Sequence, residues 1–295
     1  MRWDSRCVPC LLSRVALECR LCTASEDLAG EVQRECEELL AGLAESPLPH
    51  PQVASIVHRH ACERLGCRDP FAALKEESTR KALEVCRRVR PRLETFRDLV
   101  TASVIGNTFD FGVLSHTVEP DFARFFEEEF EKGLTIDDTD RILPLADRVV
   151  YFTDNCGEIV FDRLLVEFLS RRGSHVTVAV RGEPILNDAT LADARAVHME
   201  RYADLTTTGC GAELGVRPEC MPPELGRAME TCTLVISKGM ANYESLSECT
   251  GLPPVAYLMA VKCDPIAKEV GVPRGSKVAI LRGGAREGRG RSPDA

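Results

Sequence analysis

The sequence contains no apolar run approaching the roughly 18 residues that a membrane-spanning helix needs, so a spanning protein of that kind is not expected. It does not open on a secretory leader: Asp4 and Arg14 interrupt what would be the charged and apolar regions, and the cytoplasm is the expected compartment. Positive charge is in short supply. Lys and Arg number 37 against 46 Asp and Glu, a net charge of −9 with a pI near 5.3, which disfavours a broad nucleic-acid surface. The turn at Asp154–Glu158 carries no Gly-rich x-Gly-x-Gly loop, which weighs against a nucleotide-type cofactor cradle there, and no internal repeat is visible.

Cysteine, by contrast, is plentiful, with 14 in 295 residues. Without a secretory signal these are expected as reduced thiols rather than disulfides. Cys7 and Cys10 form one Cys-x-x-Cys pair and Cys19 and Cys22 another, with Leu11, Leu12, Val15, Ala16 and Leu17 between them at helical spacing. Four thiolates suit structural Zn²⁺, for which Cys7 and Cys10 are the leading candidates. The eight intervening residues are fewer than the about 15–20 of a zinc ribbon, and a helix must fit inside them, so buried or idle thiols are the competing expectation. A thiol-based metal or redox binding module in the first 22 residues is one alternative for the whole chain.

Hydrophobic content of 44% is ordinary for a globular protein, and 295 residues accommodate one large α/β domain plus a smaller helical one. Up to about Ser103 the pattern is helical only, over Leu28–Leu43, Gln52–Leu65 and Pro70–Val89, and the charged stretch Glu76–Arg97 reads as a solvated helix face. Asp121–Lys132 reads as a further acidic, aromatic helix. Strands are expected at Val149–Phe152, Val176–Val180, Thr233–Ile236, Val255–Met259 and Lys277–Leu281; their alternation with helices implies a mainly parallel sheet.

The run Val149-Val150-Tyr151-Phe152 stops abruptly in Thr153-Asp154-Asn155-Cys156-Gly157-Glu158. Four β-branched or aromatic residues read as a buried strand, Asp154, Asn155 and Gly157 supply a turn, and Ile159–Arg172 reads as a helix stopped by Gly173. In α/β sheets ligands collect at the carboxyl ends of the strands, which is where Asp154 and Asn155 sit. An N-cap, or a capping box closed by Glu158, accounts for one such residue and not for the cluster. The strand Val176–Val180 runs into Arg181-Gly182-Glu183-Pro184-Ile185-Leu186-Asn187-Asp188, so two strands each deliver a carboxylate and an amide to one rim. Such oxygens, without His or thiolate, are hard donors that suit Mg²⁺ or Mn²⁺ better than Zn²⁺ and leave room for water and a phosphate.

Thr233–Ile236 ends in Ser237-Lys238-Gly239-Met240-Ala241-Asn242-Tyr243-Glu244. Lys238 can reach a phosphoryl oxygen as a point charge and Asn242 can orient substrate, although a Lys-Gly turn taken alone is commonly just solvated. Gly106-Asn107-Thr108-Phe109-Asp110-Phe111-Gly112 sets Asn107 and Asp110 between two glycines, either as an Asx turn joining helices or as part of the site. His58 and His60 are two apart on a helical pattern and cannot share a ligand. His116 and His198 read as surface or hydrogen-bonded residues, and Trp3 and the Phe125-Phe126 pair read as packing.

Together these segments resemble the DUF89 or damage-control phosphatase family, the ARMT1-like group, and within it the short prokaryotic-type branch with an N-terminal Cys-x-x-Cys. The matching pieces are Cys7-Val8-Pro9-Cys10, Asp69-Pro70-Phe71 with Lys75, Gly106 to Gly112, Asp154 to Glu158, Arg181 to Asp188 and Lys238 to Glu244. They run in family order to Lys262-Cys263, over about nine tenths of the chain, and six ordered motifs are far harder to meet by chance than one.

The resemblance implies a Rossmann-like α/β/α sandwich with a mainly parallel sheet, over residues 104–282, and a helical N-terminal domain, over 1–103; the composition of the Gly- and Arg-rich residues 283–295 reads as a disordered tail. It implies a divalent-metal-dependent phosphatase for small phosphorylated metabolites, either sugar phosphates or damaged phosphorylated cofactors. The metal, Mn²⁺, Mg²⁺, Co²⁺ or Ni²⁺, would lie on Asp154, Asn155 and Asp188, with Lys238 on phosphate. Asn107, Asp110, Glu158, Arg181 and Asn242 match family positions on the substrate side, while Cys156 stands where a small residue such as Ala is expected. Uncatalysed phosphate-monoester hydrolysis is so slow that neutralising the phosphoryl charge from two sides is essential. The nucleophile is either a metal-activated water or Asp154 itself; a haloacid-dehalogenase site is excluded because Cys156 occupies the place of its second Asp. The competing enzyme class is a Rossmann-like, adenosylmethionine-dependent carboxyl methyltransferase, which calorimetric binding of that cofactor would distinguish.

Overall fold

The computed structural model describes residues 3–23, 25–108 and 122–283. The first part is helical: α1 (Val8–Cys22), α2 (Glu26–Gly42), α3 (His50–Leu65), α4 (Ala72–Val89), α5 (Phe96–Thr108) and α6 (Phe122–Lys132). Local chemistry sets several of their ends. The Ser25 hydroxyl accepts from Leu28 N at 3.3 Å to cap α2, and Gly66, at φ +63°, closes α3 in the left-handed region that glycine enters without strain. Apolar stripes of α1, α2 and α3, including Leu11, Val15, Val32, Leu40, Val53 and Val57, close a core of their own. Ile185 and Leu214, from further along the chain, complete that core and seat the three helices on later loops.

The remainder runs β1 (Ile136–Asp137), α7 (Thr139–Ile142), β2 (Arg148–Phe152), α8 (Ile159–Arg171), β3 (His175–Val180), α9 (Leu191–Ala196), β4 (Asp204–Thr207), α10 (Pro223–Thr231), β5 (Leu234–Lys238), α11 (Gly239–Leu246), β6 (Val255–Ala260), α12 (Asp264–Val270) and β7 (Lys277–Arg282). The seven strands form one sheet in the order β1-β7-β6-β5-β2-β3-β4. Every ladder is parallel except β6 with β7. Because both faces are covered, the central strands carry consecutive buried apolar residues, such as Val149–Phe152 and Leu234–Ile236, rather than alternating ones. Alternate side chains still go to opposite faces. Val149, Tyr151 and Ile236 join a core with residues of α4, α5 and α8, whereas Val150, Phe152 and Val235 join one with Leu225, Tyr243 and Ile266 of α10, α11 and α12.

The five expected strands all form, with ends shifted by two residues at most; β1 and β4 were missed because two and four half-exposed residues carry no readable period. The boundary expected between 103 and 104 falls within α5, a continuous helix with ten of its thirteen residues buried. Asn107 belongs to the last turn of that helix, not to a turn between helices. Gly106 serves close packing there: a Cβ would come within 3.1 Å of Glu158 Cβ and of the Phe161 ring on α8. Asp110 and His116 lie outside the described residues.

The cysteine expectations need correcting. Cys7 and Cys10 lie at one end of α1 and Cys19 and Cys22 at the other, and fifteen helical residues span about 22 Å, so the four thiolates cannot share one ion. Among the described residues no group of three or more His, Cys, Asp or Glu side chains is arranged to hold a metal. Cys210 and Cys220 are joined as a disulfide, against the expectation of reduced thiols, while the other twelve are free. The histidines sort as expected, with His58 on Glu18 at 3.0 Å and His60 on Glu35 at 2.9 Å. Among the described residues no helix is long and apolar enough to cross a membrane.

Candidate active site

From β2 the chain goes to β3 and β4 on one side, then returns to lay β5 against the other side of β2. The carboxyl ends of β2 and β5 therefore flank the crevice where strand order reverses, the usual ligand position in open α/β sheets. Asp154 and Asn155 follow β2, Asp188 follows β3, and Lys238 ends β5. The loops after β2 and β3 are tied through their backbones: Cys156 N donates to Asn187 O and Ala189 N to Asp154 O, both at 2.8 Å, and Asn155 faces Asp188 across an isolated bridge. Capping does not explain these residues. The N-cap of α8 is Glu158, without a side-chain bond, and α9 is capped by a Thr190–Asp193 box.

Asn107 reaches in from α5. Its Nδ2 donates to Asp154 Oδ2 at 2.9 Å and Glu158 Oε2 at 2.7 Å, while its Oδ1 accepts from Ala260 N at 3.0 Å. Asn155 Nδ2 donates to the same two carboxylate oxygens, at 2.7 and 3.0 Å. Arg181, 1% exposed, donates through Nε to Asp188 Oδ2 at 2.6 Å, through Nη2 to Asn242 Oδ1 at 3.0 Å and through Nη1 to Gly215 O. Asn242 Nδ2 donates in turn to Thr153 O at 2.9 Å and Lys238 O at 2.8 Å, fastening the ends of β2 and β5 together.

Lys238 has no exposed surface. Its Nζ donates to Glu158 Oε1 and Asp162 Oδ1, both at 2.7 Å, and to Ser103 O at 3.2 Å, which uses all three protons. Asp162 was missed in the sequence. It also accepts from Tyr151 OH at 2.8 Å and Ser103 Oγ at 2.7 Å, and its only sequence signal is a charged residue on the buried face of α8. Lys262, which follows β6 and marked only the end of the family match, acts electrostatically on Asp154.

Burial pushes the Asp154 carboxyl far above the ordinary range, and the charges of Asp188 and Glu158 add to this against Lys262 and Arg181. Burial also raises Asp188 against the pull of Arg181, and Asp162 against that of Lys238. For Lys238 burial works toward the neutral amine, but Asp162 and Glu158 outweigh it and hold the proton more firmly than in an ordinary lysine. Four buried carboxylates thus share ion pairs with Lys238 and Arg181. Hydrogen bonds hold Asp154 and Asp188 through Oδ2, and Arg181 Nη2 stands 3.8 Å from Asp154 Oδ1. Carboxylate and amide oxygens gathered without His or thiolate are hard donors that fit a divalent cation such as Mg²⁺ or Mn²⁺.

Fold and site together define an α/β enzyme whose carboxylate, amide and lysine groups meet at the switch point of a mostly parallel sheet. Comparison with known proteins narrows this. The family model of the damage-control phosphatase ARMT1-like domain matches residues 3–278. A damage-control phosphatase of Archaeoglobus fulgidus is 40% identical over 290 residues, covering 95% of this chain and 99% of that protein. One of Pyrococcus horikoshii is 29% identical over 291 residues, covering 95% and 98%. The crystal structure of a DUF89-family protein from Pyrococcus horikoshii matches with a TM-score of 0.86 at 27% identity, covering 95% of this chain and 99% of that one. The chain belongs to the ARMT1-like damage-control phosphatase family.

Proposed function

We propose that the chain hydrolyses phosphomonoesters of small metabolites, sugar phosphates or damaged phosphorylated cofactors, with Mn²⁺, Mg²⁺, Co²⁺ or Ni²⁺ held by Asp154, Asn155 and Asp188. The observation that carries this reading is the convergence of Asp154, Asn155 and Asp188 on one rim, where the loops after β2 and β3 are bridged and Lys238 and Arg181 pair with the surrounding carboxylates. Once bound, the ion supplies Lewis-acid stabilisation of the phosphoryl oxygens. The chain's own residues supply position and charge. Asn107 and the Asn155 amide hold one oxygen of Asp154 so that its other oxygen is presented, and Arg181 does the same for Asp188. Lys238 acts as the counter-charge that holds Glu158 in place. Direct contact between Lys238 and a phosphate requires it to release one of its three acceptors.

The test is phosphate release from p-nitrophenyl phosphate and a panel of sugar phosphates by metal-stripped protein resupplied with each ion. Turnover that returns with metal supports the proposal; none with any of the four, from folded protein, sinks it. A second readout is independent of turnover. An ion that binds only the folded state stabilises it by about 2.7 kcal/mol at 100 times its dissociation constant, so it should raise the melting temperature of the wild type and leave that of Asp188→Ala unmoved.

Gly239 makes a sharper local prediction. At φ +73° it lies directly against Asp154, and a Cβ there would overlap Oδ2. Gly239→Ala is expected to displace the carboxylate and lower kcat by about 100-fold, the cost of an ångström-scale misplacement. Gly66→Ala is the control. It is also at positive φ but has nothing within 4 Å, so it should show only about 1–2 kcal/mol of backbone strain in denaturation and unchanged kcat.

A further inference from the structure

The loop between β3 and α9 holds a conformation that its sequence does not favour. Asp188 N donates to Ile185 O at 3.1 Å, closing a four-residue turn in which Leu186 stands second at φ +46°. Turns with a positive φ at that place are built mostly from Gly, Asn or Asp, because a Cβ there crowds the backbone. Elsewhere among the described residues only His198 and Cys210 enter the positive-φ region without being glycine. A leucine suits such a turn only if its side chain is needed. Leu186 packs against the core closed by α1, α2 and α3, and its neighbour Ile185, 5% exposed, is part of that core. A cavity of about 330 Å³, lined among others by His58 and Cys62 of α3 and by Pro184, Ile185 and Leu186, already adjoins the turn, so a shortened side chain there would add to an existing void. The residues that follow lead straight into the site. Asn187 O accepts from Cys156 N and Ala189 N donates to Asp154 O, both at 2.8 Å, and Asp188 bridges Asn155 between them. The course of the chain through Leu186 therefore fixes where Asp188 stands relative to Asp154 and Asn155.

We infer that Leu186 is a positioning residue: anchored on the helical core, its side chain keeps the turn left-handed and so sets Asp188 opposite Asn155. Through this one side chain α1, α2 and α3 act on the rim of the sheet. Backbone strain held in place by surrounding structure is a recurrent property of functional loops, and here the anchor and the strained residue are the same. The consequence for metal binding rests on the function proposed above; the placement of the turn does not.

The test compares the full-length wild type with Leu186→Gly, which suits the left-handed backbone but loses the anchor, and with Leu186→Met, which keeps an apolar side chain of similar size. Amide hydrogen exchange in chelator reads the turn itself. The Cys156 and Ala189 amides should exchange severalfold faster in Leu186→Gly and at the wild-type rate in Leu186→Met. Titration with Mn²⁺, followed by the electron paramagnetic resonance of the free ion, reads the consequence. The dissociation constant should rise about 10- to 100-fold in Leu186→Gly, the range for losing a group that orients a metal ligand, and return to the wild-type value in Leu186→Met. A side chain that only filled the core would lower the melting temperature when lost and leave both readouts where they are. If Leu186→Gly fails to fold, Leu186→Asn takes its place, since asparagine also enters the left-handed region. Either readout unchanged in the Gly or Asn variant overturns the inference, as does a Leu186→Met protein that behaves like Leu186→Gly. A wild type that binds no Mn²⁺ while the exchange pattern holds supports Leu186 as the anchor of the turn and overturns the metal site instead.

Discussion

Asp154→Asn should abolish phosphate release and, in the same protein, raise the melting temperature measured in chelator. The two effects share one cause. Asp154 is a carboxylate held among other carboxylates, where burial and the charges of Asp188 and Glu158 all disfavour its ionised form. Asparagine keeps the shape, and its Oδ1 can accept from Asn107 and Asn155 as the carboxylate's Oδ2 does, at 2.9 and 2.7 Å. The metal-free fold is relieved of a buried charge while the proposed ion loses a ligand. Loss of a partner one step removed from a metal already costs 10–100-fold, so turnover should fall by more than about 100-fold. Adding Mn²⁺ should reverse the stability order, because only the wild type then gains binding free energy. A variant that melts lower in chelator, or that keeps turnover, would sink this account of Asp154.

Lys238→Met should unfold far more readily in urea, by about 3–5 kcal/mol, the cost of leaving buried charges without their partner. Lys238 and both carboxylates it binds have no exposed side-chain surface, so water cannot take over from the ammonium. The double variant Lys238→Met, Asp162→Asn should recover part of the loss, since it removes one of the two stranded charges, with a coupling of about 0.5–3 kcal/mol in the cycle. The same variants decide what Lys238 does. If Lys238→Met keeps wild-type stability but loses kcat, the ammonium works against substrate and not beneath Glu158.

The parts of this architecture that were legible in the sequence are those fixed locally. A strand buried on both faces has to be a run such as Val149–Phe152, and a polar, glycine-containing turn behind it has to end it, so β2 and the Asp154–Glu158 loop were readable. Asn107, Arg181 and Asn242 were singled out by motif, and the structure brings them to Asp154, Asp188 and Thr153. Strand order was not readable, because nothing local to β5 says that it pairs with β2, and the switch point exists only through that pairing. Asp162 stayed hidden for a similar reason. A buried carboxylate declares itself only through its cation, and Lys238 lies 76 residues away. The two Cys-x-x-Cys pairs misled in the opposite sense. Proximity in sequence suggested one ligand set, but Cys10 and Cys19 are nine helical steps, about 13.5 Å, apart along α1.

The continuity of α5 bears on how such a gene can change. On successive turns this one helix offers the Ser103 carbonyl to Lys238 and the Asn107 amide to Asp154, so groups from the first hundred or so residues and groups from the sheet complete one another. A recombination junction placed upstream of residue 96, or within the helix, would join an α5 from one parent to strand ends selected in another. A chimera joined there is expected to leave the Lys238 and Asp154 contacts of α5 unmatched, which its melting temperature would report.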